Sequence, residues 1–129
     1  MRNKKAIALT VLFMFLLSSV CMAYQPDPHR WVWIYSDDQV GVFYDSKTVE
    51  FFNYDSCDVW VMFVLPNQKM YQITHIIFRN NRTGAILATV DYNEETGEII
   101  DTKTFPLEYA VIIPGSIAEV VYNRLFPER

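Results

Sequence analysis

Cysteine and histidine are scarce in this chain, which holds two of each among 129 residues. That leaves no spacing from which a disulfide framework or a ready-made metal site can be read. Once Cys21 is set aside with the N-terminal segment described below, Cys57 stands alone and no intramolecular disulfide can form. Basic residues are also in deficit. Three of the eleven Lys and Arg lie before residue 6, which leaves eight against fifteen Asp and Glu and a formal charge of −7 for residues 24–129. Such a balance excludes a general nucleic-acid binder, which needs a basic footprint. It equally opposes docking on anionic lipid. After the first two dozen residues no apolar run is long enough to cross a bilayer, so no membrane insertion is expected there.

What the N-terminus does contain is a three-part secretory grammar. Arg2, Lys4 and Lys5 form a positive start, Ala6 to Val20 is apolar, and Cys21-Met22-Ala23 supplies small residues for a cut between Ala23 and Tyr24. The apolar run is short for a membrane span, so cleavage is expected rather than an uncleaved anchor. Lipidation of Cys21 would change a soluble product into an anchored one, but Ser18 and Val20 fit the required context poorly. The expected organisation is a signal peptide over 1–23, a flexible lead-in over 24–30 and one domain over 31–129. The product is expected outside the cytoplasm, at the cell surface, in the periplasm or in the medium. Export permits disulfides, so a domain with Cys57 alone must stand on its core, unless that thiol pairs between chains.

The rest of the chain is rich in the aromatic and β-branched residues that suit a pleated surface. Strand-like runs follow one another, each closed by a turn: 31–35, 40–45, 58–65, 71–79, 85–92 and 98–105. Gly41 marks a bulge or a close backbone approach. The run DVWVMFVL over 58–65 is apolar on both faces and belongs at the centre of a sheet. Residues 46–56 read as irregular and 106–113 as an extended connection. About six strands with short turns make an antiparallel meander.

The C-terminal end changes period. Ser116 followed by Glu119 is a capping box. Ile117, Val120, Val121 and Leu125 then fall on one helical face, and Pro127 ends the segment. A helix over about 117–126 is too short to stand alone, so its stripe must pack on the sheet. The predicted fold class is α+β, a single antiparallel meander with one C-terminal helix on a face.

Few residues invite chemistry. Ser116 lacks the second glycine of a nucleophile elbow, and its capping role accounts for it. His75 alternates with Ile73 and Ile77 on one strand face, while His29 lies in the Pro-rich lead-in. Asp91, Asn93, Glu95 and Gly97 imitate a calcium loop, but Gly97 comes one place late and the twelfth position is Thr102. Asp91 and Asp101 could face each other across a hairpin, as paired carboxylates do in acid–base sites, or simply be two solvent-facing positions. Cys57 with His75 lacks an orienting third group. Lys69, Arg79 and Arg82 cluster around two hairpin ends. Trp31, Trp33, Trp60 and the many Tyr and Phe must be partly core, and the remainder would form an exposed aromatic stripe suited to an interface. No catalytic, cofactor or metal residues are assigned, and the ligand-binding residues are left open.

The order VGVFYD, DVWVMFVL, YQITHIIFR, AILATVDY and IIPGSIAEVVYNRLF resembles the surface-adhesin protein E-like family of small exported bacterial domains. The likeness runs from Trp31 to Phe126. Its most specific pieces are Tyr44-Asp45, Trp60, and Pro114-Gly115-Ser116 followed by Tyr122. The resemblance implies a meandering sheet with the helix lying on it. It also implies adhesion to host extracellular-matrix and plasma proteins, sometimes as dimers. Some members look disulfide-bonded from sheet to helix end, and Cys57 has no partner for that bridge. The expected function is a non-catalytic exported binding module that holds a protein ligand and needs no cofactor. The alternative is a structural or assembly subunit of the cell envelope, homodimeric through an edge strand.

Overall fold

The computed structural model describes residues 24–127. The signal sequence expected over 1–23, with Cys21 and the Ala23 side of the expected cleavage junction, lies outside the described residues. Eight strands form one antiparallel sheet: β1 Trp31–Ser36, β2 Gly41–Asp45, β3 Glu50–Phe52, β4 Ser56–Leu65, β5 Met70–Arg79, β6 Thr83–Asn93, β7 Ile99–Thr104 and β8 Ala110–Val111. Among the described residues one α-helix, α1 Ile117–Leu125, follows the last strand. The fold is α+β, as the periodicity predicts.

The main path runs β1-β2-β4-β5-β6-β7, six consecutive antiparallel strands. The two further strands correct the count of about six. Strand β2 covers β4 only over 61–64, and β3 takes the remaining edge over 56–58. Likewise β7 covers β6 over 88–92, and β8 takes 83–84. Long strands with short neighbours leave backbone groups unpaired, and the chain returns to satisfy them. That is why segments read as irregular and as a bare connection each contain a strand. The expected bulge at Gly41 is also displaced. The register shift falls between Trp33 and Tyr35 of the partner strand.

Strand β4 is central, as its two-faced apolarity requires. Cys57, Val59 and Val61 are buried in the larger core, and Met62 and Val64 in a smaller one. The larger core lies under α1, where Val121, Tyr122, Leu125 and Phe126 are buried. Each such side chain contributes about 1.5–3 kcal/mol as an upper figure, which is what holds a nine-residue helix that is marginal alone. The buried stripe differs from the predicted one by a residue. Val120 is partly exposed and Tyr122 is buried in its place, its hydroxyl donating to the Asn80 carbonyl at 3.0 Å.

The helix entry is a modified capping box. Ser116 Oγ accepts from the Glu119 amide at 3.3 Å. The returning Glu119 carboxylate accepts from Gly115, one residue before the cap, at 3.1 Å. Its other oxygen takes Arg82 at 2.6 Å. Gly115 has φ +81°, which only glycine adopts freely, and this lets its amide face the helix. Ser116→Ala should cost about 1 kcal/mol, read as a Tm fall of roughly 4–8 °C in thermal unfolding. An unchanged Tm would mean that the Glu119 contacts hold the helix start by themselves.

Candidate functional site

Alternation along the strands sorts the side chains onto two faces. One face lies under α1. The other has no helix or strand across it among the described residues. All three tryptophans fall on this open face. Trp31 and Trp33 stand opposite Asp45 and Phe43, and Trp60 stands opposite His75. Cross-strand neighbours are the units of sheet stabilisation, and here they are aromatic. Trp60 stacks on His75 with centroids 4.5 Å apart. Tyr71 stacks on its register partner Tyr92 at 4.8 Å, and Tyr24 stacks on Tyr71 at 4.3 Å. Burial pushes the Tyr71 hydroxyl up to about 12. Trp33 is 56% exposed. Of these rings Tyr24, Trp31 and Tyr71 pack over the small core of Phe43, Met62 and Val64.

Residues 24–30, read above as a flexible lead-in, make defined contacts with this face. Tyr24 extends the tyrosine stack, Pro26 is buried, and the Asp27 carbonyl accepts from the Arg30 and Trp31 amides. Arg30 then reaches Asp45 with two bonds, Nε to Oδ1 at 3.0 Å and Nη2 to Oδ2 at 2.8 Å. Asp45 also accepts from the Lys47 amide and the Thr48 hydroxyl. Its side chain is 1% exposed. Burial raises its pKa, but the bonds from Arg30, Thr48 and Lys47 outweigh that and hold it below the usual carboxylate value. The β2 terminus and the start of β1 are thereby tied together beneath the tryptophans.

The helix-side face is incompletely covered. A groove of about 760 Å³ runs between α1, the 110–113 segment and the floor of the sheet. Phe78, Ala85, Ile112, Ile117 and Val121 make its apolar end. Toward Gln72 the lining mixes the polar Thr74, Thr89 and Gln72 with the apolar Val40, Phe63 and Leu65. Gln72 donates to Asp91 at 2.8 Å and accepts from Thr74 at 3.1 Å.

The remaining candidates are dispersed. His75 does share a face with Ile73 and Ile77, and its Nε2 lies 2.5 Å from Asp58. The pair sits on the open face and lines neither the groove nor the smaller cleft near Asn80. Cys57 belongs to the opposite face, so the sheet separates it from His75. Asp91 and Asp101 are register partners as spaced. Asp91 is engaged by Gln72, while Asp101 binds the Thr102 amide and stands 3.8 Å from Lys103. Asn93 Oδ1 accepts from the Glu95 and Thr96 amides, and Gly97 has φ +72°, so the calcium-like segment is a capped hairpin loop. No group of three metal-ligating side chains occurs among the described residues. His29 is an exposed turn residue. The basic trio does not assemble. Lys69 lies at one end of β5, with Arg79 and Arg82 about 30 Å away at the other. Arg79 covers the Tyr109 ring at 3.8 Å, and Arg82 binds Glu119.

Cys57 is wholly buried, and desolvation, with the Asp58 charge second, pushes its thiol up to about 12. Since the thiolate is the reactive form, native protein at pH 8 should resist iodoacetamide. Labelling should be complete within minutes in denaturant, as read by mass spectrometry. Equal rates in both states would place Cys57 at the surface.

Sequence reasoning missed the groove and the Asp45 anchor, because both are built from residues brought together across strands. The chain matches no family model, no curated protein and no solved structure.

Proposed function

We propose that this chain is an exported, non-catalytic binding module that holds a protein ligand on its open aromatic face, in the manner of small bacterial surface adhesins. The observation that carries this reading is the gathering of Trp31, Trp33 and Trp60 with the Tyr24–Tyr71–Tyr92 stack on one face. Exposed Trp and Tyr are efficient anchors for protein partners, and rings locked by stacking lose little freedom on binding. The secretory grammar of residues 1–23 supports export of such a face. The His75–Asp58 pair lines neither the groove nor the cleft near Asn80, and it is read as part of the surface.

The test is binding to a panel of host extracellular-matrix and plasma proteins at physiological salt, where weak charge attraction is screened. Saturable binding at micromolar or lower concentration, abolished by heat denaturation, is expected. A flat panel with folded protein would overturn the adhesin reading for those ligands. One observation favours a second reading, an envelope assembly subunit. The outer strand β7 is exposed along its whole length and carries Ile99 and Ile100. An apolar edge strand is a ready site for strand addition by a copy or a partner. Copurification with one fixed envelope protein would favour it.

A further inference from the structure

The groove under α1 has a chemical polarity that identifies its occupant. Strand register places Gln72, Leu65 and Asn67 toward one end and Phe78, Gly84 and Ile112 toward the other. The span from Gln72 to Phe78 is about 20 Å. At the first end Asp37, Gln39, Asn67, Gln68 and Gln72 line the opening beside the apolar Val40, Phe63 and Leu65, so all the charge and amide groups of the lining, but not all of its apolar surface, are gathered here. Neither Lys, Arg nor His lines the groove anywhere. The other end is walled by aliphatic and aromatic side chains. Ile86, Val111 and Ile113 form part of its lining, yet they are 49%, 74% and 70% exposed. Three large apolar residues standing in water around one concavity mark a binding surface rather than scattered exposure. Its volume lies within the range of small-molecule sites.

We propose that the groove binds one single-chain amphiphile, with its apolar chain along β5 toward Phe78 and an uncharged or cationic head at the Asp37–Gln72 end. Charge complementarity selects the head. Asp37 is the one charged side chain of the lining and supplies negative charge there, and no lining cation could pair an anionic group. The amides of Gln39, Asn67 and Gln68 suit hydroxyl, amide or ammonium heads. The apolar end selects the chain, each buried methylene strengthening binding by about four-fold. This inference is separate from the aromatic-face reading, since none of those rings lines the groove.

The experiment is calorimetric titration of the purified protein with three twelve-carbon probes below their micellar concentrations: 1-monododecanoylglycerol, dodecyltrimethylammonium and dodecanoate. Saturable one-to-one binding of the first two is expected, with dodecanoate weaker by about ten-fold or more through carboxylate repulsion. Ala118→Trp projects a ring into the groove from an exposed helix position and should weaken both by about ten-fold. Ile113→Ser is the companion variant, exposed enough to leave folding unchanged, and should weaken them several-fold. Gln68→Lys should bring dodecanoate up to the affinity of the glyceride. Absence of saturation, equal binding of all three probes, or wild-type affinity in both wall variants with unchanged circular dichroism would overturn the proposal.

Discussion

Replacing Asp45 by alanine is expected to destabilise the protein by about 3 kcal/mol, roughly 12–24 °C in Tm for a domain of this size. The carboxylate is buried and takes four hydrogen bonds, from Arg30 twice, the Lys47 amide and Thr48. Removing it strands those donors and frees the 24–30 segment from the sheet. Arg30→Ala should cost less, about 1 kcal/mol, because Arg30 is half exposed and Asp45 keeps its two other partners. The effect is also pH-dependent with a defined sign. The folded pKa of Asp45 lies below its ordinary value, so its contribution is fully present above the unfolded pKa of about 3.9 and is lost as pH falls through the folded one. Urea unfolding of the wild type and Asp45→Asn should therefore differ most at neutral pH and converge below about pH 4. A difference that stays constant down to pH 2.5 would show that the carboxylate charge contributes nothing.

The second large effect is on binding. For any ligand retained in the panel, Trp60→Ala should weaken affinity by about 30-fold, corresponding to about 2 kcal/mol at a central aromatic anchor. Trp33→Ser should weaken it as well while leaving Tm nearly unchanged, because that ring is 56% exposed and packs in neither core. Its indole donates to Ser36 Oγ. Trp60 also carries the His75 stack, so Trp60→Phe is the matched control that keeps a ring over His75. Wild-type affinity in all three variants, with affinity lost instead in Ile100→Asp on β7, would transfer the binding site to the sheet edge.

The two expected losses differ in kind. Asp45 acts on the open face from beneath, by holding the strands that carry Trp31 and Trp33. The rings act directly. An Asp45 variant that loses binding in proportion to its fraction unfolded and a Trp33 variant that loses binding while folded would separate support from contact.

Much of this architecture follows from local pattern. Period-two runs between turns specify six strands, because side chains alternate faces whatever the rest of the chain does. The two-faced apolarity of 58–65 specifies the centre of the sheet, since only a central strand can bury both faces. Ser116, Glu119 and the 3.6-residue spacing after them specify the helix and its start. Parity alone aligned Asp91 with Asp101 and put His75 on a face with Ile73 and Ile77. Other features needed the assembled chain. Strands β3 and β8 are too short to carry a periodic signal and exist because β4 and β6 left edges to fill. The Arg30–Asp45 anchor joins residues whose charges read as ordinary surface groups until the fold buries one of them. The aromatic face depends on which side of the sheet α1 covers, and the groove depends on how far that cover extends. Both are set by packing between distant segments, a term that local sequence pattern does not contain.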